Sequence, residues 1–289
     1  MSDKSEINKI YKRAKHKLIM FRGDDFFKSR GGQLTIFIIV GVLMVSAIAL
    51  FFAFRAGIIP GIGGAAERNP DIFLSACMED KVREAITLLS FQGGYIEENP
   101  LSLRFLFKED KEYYNISYLC YTSLYYVPCF NQNPSLINSV ENEIKNYISD
   151  DVQTCFDEME RNFDRQGYDV NQEYNGFEVV LNSGKISIKT DSSLNLTKSE
   201  ETTTQEDFEI LETSKLNDLL EVAQEIVSQQ AEFCNFNANG FMLTYPKFKI
   251  ETFNLGSDGL IYTLTHKESE EKFRFAVRSC FIPSGIINE

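Results

Sequence analysis

Residues Leu34 to Phe54 run for 21 positions without a charge, LTIFIIVGVLMVSAIALFFAF, and Arg55 closes the run. At about 1.5 Å of rise per residue, a helix of this length matches the roughly 30 Å hydrocarbon core of a bilayer. The run therefore predicts a transmembrane helix at 34–54. Residues 1–33 carry nine Lys and Arg against four Asp and Glu, a net of +5; the whole chain carries −13, which leaves −18 for residues 34–289. Basic residues beside a span stay on the cytoplasmic side. The expected topology is a basic cytoplasmic arm at 1–33, one span in the cell membrane, and an acidic extracytoplasmic domain. Such a domain does not suit a phosphate backbone, which is held by Lys and Arg, so no nucleic-acid partner is expected.

Within the arm, Ile7, Ile10, Tyr11, Ala14, Leu18 and Phe21 recur at helical spacing, with Lys9, Lys12, Arg13, His16 and Lys17 between them. That pattern fits a basic amphipathic helix on an anionic inner leaflet, or a plain positively charged flank. Ser29-Arg30-Gly31-Gly32-Gln33 then leads into the apolar run. Arg, Gly, Gln and a long apolar helix resemble the class III, prepilin-type signal of archaeal surface proteins. The resemblance implies processing around Gly31, Gly32 and Gln33 with the helix retained, although Phe37 stands where such signals commonly carry Glu. Ala49 and Ala53 form a small-xxx-small pair within the run, a candidate helix–helix contact and one ground for a homo-oligomer.

Gly57, Pro60, Gly61, Gly63 and Gly64 mark residues 55–69 as a linker. Asn69-Pro70 reads as a helix start, Leu74, Met78, Val82, Ala85, Ile86 and Leu89 as its apolar face, and Gly93-Gly94 as its stop. The TIFIIVG opening of the span, followed by this Cys-bearing helix ending in LLSFQGGYI (Leu88 to Ile96), is similar to uncharacterised single-pass surface proteins of DPANN-type archaea. The resemblance runs through most of the remaining chain and implies architecture and location, with no activity attached.

Residues 101–130 alternate aromatic and polar positions, which predicts strands, with Thr122–Pro128 as a loop between Cys120 and Cys129. Leu136, Val140, Ile144, Tyr147, Ile148, Val152, Cys155, Phe156, Met159 and Phe163 form one stripe of a helix over 135–164. Strands are expected at 168–172, 177–181, 185–189 and 208–212, with Asn182-Ser183-Gly184 as a hairpin turn and 191–206 as an exposed edge or loop. A third helix runs from a Ser214 cap to about 233, and strands follow at 248–254, 260–265 and 272–278. The helix-strand order roughly restarts near 165, which marks a candidate subdomain boundary.

Six cysteines, Cys77, Cys120, Cys129, Cys155, Cys234 and Cys280, all follow the span. Beyond a membrane such thiols oxidise, and six permit 15 pairings. Cys155 faces the core on its helix and is expected to pair with Cys77. Cys120 and Cys129 suit a bridge across adjacent strands or around a local loop, which leaves Cys234 and Cys280 by elimination. Asn115 and Asn195 begin glycosylation sequons.

The chain carries no C-x-x-C, G-x-S-x-G or phosphate loop, and only two histidines. Asn235, Asn237, Asn239 and Gly240 mimic the start of a calcium loop, but the twelfth position is Pro246. A tight turn is the simpler reading there. His266 reads as a strand histidine, and the carboxylates Glu97, Glu98, Asp150, Asp151, Glu158 and Glu160 as a solvated face. No catalytic, metal or cofactor residue is expected. The fold expectation is α+β: one transmembrane helix, then a disulfide-bonded domain over 70–289 with about three helices on mainly antiparallel sheet. The functional expectation is a non-catalytic binding, adhesion or envelope-structural ectodomain with a protein or glycan partner at the cell surface, its aromatic segment 103–130 the candidate contact. Two alternatives remain open: a pilin-like filament subunit, and a membrane-tethered ectohydrolase.

Overall fold

A computed structural model describes residues 41–44 and 69–280. The chain divides into two units, Met1–Gly63 and Gly64–Glu289. Residues 41–44 are helical and exposed. The rest of the 34–54 run, the arm and the Gly31-Gly32-Gln33 signal lie outside the described residues. Among the described residues no helix is long and apolar enough to cross a membrane. Residues 69–280 form an α+β structure with mainly antiparallel sheets and three disulfides.

Helix α1 (Pro70–Gln92) starts where Asn69 Oδ1 accepts the Asp71 N–H at 2.9 Å, with Pro in the first turn. It ends at Gly93, whose φ of 74° is left-handed and whose N–H reaches Leu89 O. Glycine is suited there because a Cβ would also press on Ser117 at 3.1 Å. Helix α2 (Leu136–Arg165) buries the stripe from Leu136 to Phe163. Helix α3 (Leu216–Phe233) is not capped by Ser214 alone, as its sequence suggests. Glu271, far along the chain, accepts both the Lys215 N–H and the Ser214 hydroxyl, and Ser214 Oγ accepts the Leu216 N–H. A carboxylate at a helix N-terminus is favoured by the exposed N–H groups.

The expected turn at Asn239-Gly240 is instead a short helix, α4 (Ala238–Thr244). Asn237 Oδ1 caps it by accepting the Gly240 N–H at 2.9 Å. Phe236 and Phe241 meet across the cap at 5.6 Å, a hydrophobic staple. The spaced asparagines therefore serve a helix start, which periodicity over so short a segment does not reveal.

One sheet has the order β1 (Ser102–Phe105), β2 (Tyr114–Tyr121), β10 (Lys272–Arg278), β9 (Leu260–His266), β8 (Phe248–Asn254), with β3 (Phe130–Asn131) also on β2. Its pairs are antiparallel except β2 with β10. The second sheet is β4 (Asp169–Asn182), β5 (Lys185–Lys198) and β6 (Glu201–Glu206), with β7 (Glu209–Thr213) also on β5. Two expected strands merge into β4, because Asn175-Gly176 is a bulge rather than a break; Gly176 has φ 124°. Of the two readings for 191–206, exposed edge or loop, the structure has the edge: β5 runs to Lys198 and β6, at the sheet's edge, covers Glu201–Glu206. Inward Thr190 and Ser192 hide the apolar alternation, and they satisfy one another at 2.8 Å while Thr190 also bonds Phe208 N–H.

Helix α1 packs on α2 and on both sheets, α2 on β4, and α3 on β9, β10 and β4, so the helices lie between the sheets. A single large core takes side chains from both sides of residue 165. Inside it, Gln230 Nε2 donates to Tyr262 Oη at 2.8 Å, and both are buried. Tyr262→Phe strands that amide, and urea unfolding is expected to show a loss of about 1–3 kcal/mol. At the β8–β9 turn Gly259 has φ 98°, and a Cβ would collide with the Val277 carbonyl. Gly259→Ala is expected to cost about 1–3 kcal/mol from backbone strain alone, read from the same melts.

Candidate functional site

The aromatic segment splits between core and surface. Strand β2 buries Ile116, Tyr118, Leu119 and Cys120 because both of its faces are covered, Ile116 and Tyr118 belonging to one apolar cluster and Leu119 and Cys120 to the other. Past its end, the loop 122–129 exposes Leu124, Tyr125 and Tyr126, and Phe130 follows at 66% exposure. Four large apolar side chains in seven positions are an unusual surface for water to cover, and such clusters mark contact sites.

The loop is held from several sides. Cys120 and Cys129 close it, with Cα atoms 5.3 Å apart. Thr122 N–H donates to Arg278 O at 3.0 Å, and the Arg278 guanidinium donates back to Thr122 O. Arg278 also donates to Ser257 O and lies against the rings of Tyr121 and Tyr125. Cys280 N–H reaches Val127 O at 3.1 Å, while Cys280 is bridged to Cys234 at the end of α3. Cys129 N–H donates to Ser279 Oγ, whose hydroxyl donates to Gln230 O. Tyr126, Cys234 and Cys280 all take left-handed backbone, at φ 60°, 56° and 41°. Strained residues persist where their surroundings over-determine them. The loop is therefore a preorganised aromatic surface, which lowers the ordering cost of binding. Below it, burial pushes the Tyr118 hydroxyl up to about 12, so it stays protonated and donates to Asp258 O at 2.8 Å.

No protein-family model, curated protein or solved structure matches this chain.

The remaining sequence candidates fall as follows. Cys77 is joined to Cys155 across α1 and α2 with Cα atoms 6.0 Å apart, and no cysteine is free. Asn115 and Asn195 lie in strands β2 and β5, half-buried, and not on open loops. Ser117 of the first sequon is fully buried, and Asn195 Oδ1 accepts the Thr204 hydroxyl at 2.6 Å. Among the described residues no group of three or more His, Cys, Asp or Glu is placed to hold a metal. His266 is buried, its Nδ1 3.2 Å from Ser269 Oγ in the β9–β10 turn and its ring against Phe248. Glu141 and Glu143, on α2, accept the backbone N–H groups of Leu181 and Ile96, a structural use of carboxylate.

A wide polar groove of about 850 Å³ lies between α2 and the β4 bulge. Lys145, Lys189, Asn175, Asp191 and Asp207 line it together with Tyr174. Asn175 donates to Asp191 and the Ser192 N–H reaches Asp207, so these acids serve the hairpin. The buried Arg274 was not among the sequence candidates. Its guanidinium lies between the rings of Phe91 and Phe107, 4.7 and 4.4 Å away, and pairs with Asp110 and Glu109.

Proposed function

We propose that this chain is a single-pass cell-surface protein whose residues 69–280 form a non-catalytic head that binds a partner or builds an envelope structure. The apolar run at 34–54 anchors it, the basic arm stays inside, and the acidic head stands outside. The observation that carries the reading is the aromatic loop 122–130, exposed yet braced by two disulfides. Disulfides at this density suit an oxidising compartment. A rigid display of Tyr and Phe suits protein or glycan contact, since such rings bring large area at low entropy cost.

A photo-crosslinking side chain placed at position 126 in native membranes tests this. It is expected to give a discrete adduct that the same group at position 173, on exposed β4, does not. Equal adducts at both positions, or none at either, count against the loop. A membrane-impermeant label on intact cells is expected to reach lysines beyond Gly64 and to spare those of the arm. Labelling confined to broken cells reverses the topology.

A further inference from the structure

Asp218, Glu221 and Glu225 stand on one stripe of α3, and they rim a groove of about 540 Å³. Rings of Phe241, Tyr245 and Phe248 form the facing wall, with Lys247 between them. Three carboxylates face one ammonium. Asp218 is only 6% exposed, accepts no hydrogen bond among the described residues, and meets charge only at Lys247 Nζ, 3.8 Å away. Its carboxylate oxygens are not sealed from water, so the little of Asp218 that is exposed opens into the groove, where an incoming cation can reach it. Glu221 and Glu225 are like charges one turn apart, which is also unfavourable. Each takes one hydrogen bond from an amide four residues away, Asn217 and Gln229, and keeps an oxygen open.

The aromatic wall is a cluster: Phe241 meets Tyr245 at 4.7 Å and Phe248 at 6.4 Å. Lys247 Nζ lies 4.9 Å from the Phe248 ring. Ring faces and carboxylates together attract ammonium and guanidinium groups. The chain's own half-exposed Lys247 holds that corner at a distance too long for a hydrogen bond.

We propose that the α3–α4 groove docks a basic peptide segment of a partner protein, whose Lys or Arg displaces Lys247 from the corner between Asp218 and Phe248. The acid rail extends for about 10 Å along α3, by helical rise, which suits an extended segment better than one small amine. Its negative charge opposes phosphate and anionic lipid. The inference stands apart from the aromatic loop and from the membrane reading.

Full-length protein in detergent micelles, titrated with a capped fluorescent Ala-Arg-Leu-Arg-Ala peptide, tests it. Glu221→Gln with Glu225→Gln is expected to weaken binding about tenfold; Lys247→Met is expected to tighten it about fivefold, since no internal cation then competes. Asp150→Asn with Glu158→Gln removes equal charge from exposed α2 and is expected to leave affinity near the native value. Equal weakening by that control means diffuse attraction to an acidic protein and overturns the site. No tightening in Lys247→Met, with a native melting profile, overturns the displacement. Spermidine binding as tightly as the peptide, and equally sensitive to the rail, reassigns the groove to small amines and overturns the peptide occupant.

Discussion

Arg274→Ala is expected to lower the unfolding free energy by about 3–5 kcal/mol, the range for breaking a buried ion pair from one side. Arg274 is 1% exposed in the middle of β10, and its Nη1 donates to Asp110 Oδ2 at 2.6 Å. Asp110 is itself buried at its carboxylate, so deletion of the guanidinium strands a charge and leaves a void between Phe91 and Phe107. Glu109 is exposed and contributes little. Arg274→Lys is expected to rescue poorly, because an ammonium neither reaches Asp110 and Glu109 from the two arms of one plane nor stacks flat between rings. Arg274→Met with Asp110→Leu is expected to recover most of the loss, since both charges leave together. Urea unfolding gives the energies. Hydrogen exchange over 106–113 gives the place, because this pair ties that segment to β10. A loss under about 1 kcal/mol in Arg274→Ala removes the ion pair from the account of stability.

The second large effect concerns the disulfides. Cys77 and Cys155 are 78 positions apart, Cys120 and Cys129 only nine. In the chain-entropy model the longer loop contributes about 4.5 kcal/mol and the shorter about 2.6 kcal/mol. Cys77→Ala with Cys155→Ala is therefore expected to destabilise by about 2 kcal/mol more than Cys120→Ala with Cys129→Ala. Urea titration of the two variants under oxidising conditions measures the difference. The short bridge has a different role. Its loss is expected to free the loop at Leu124–Tyr126, seen as faster proteolysis there with a modest change in midpoint. A larger stability loss for the short bridge than for the long one reverses the argument.

Both effects differ in how far they are readable from residues alone. The stripes of α1 and α2 repeat at helical spacing, and Asn69-Pro70 and Gly93 mark the ends of the first. Cys155 sits on the buried stripe of α2, so its direction toward the core follows from periodicity. Arg274 is otherwise. Alternation in Lys272–Arg278 puts it on the face of β10 away from the helices, where an arginine is expected to meet water. The structure covers that face with residues 106–113, 164 positions from Arg274 at the Asp110 contact. The only trace in the sequence is an arginine held between two phenylalanines.

The two proposed contact surfaces show the same divide. The aromatic richness of 103–130 was plain, but which rings faced outward depended on Cys280 and Arg278 closing against the loop. The α3 carboxylates were not among the sequence candidates, and only α4 brings Phe241 and Tyr245 opposite them.

By itself the sequence determined the apolar run at 34–54, the long helices, the α+β class and the grouping of all six cysteines beyond that run. Those features arise from spacings of a few residues, where side-chain period and backbone propensity act directly. The tertiary structure alone decided the parallel join of β2 to β10, the roof over Arg274 and the two exposed sites. These depend on segments brought together across more than a hundred residues or around a new helix, and local period carries no information about such partners.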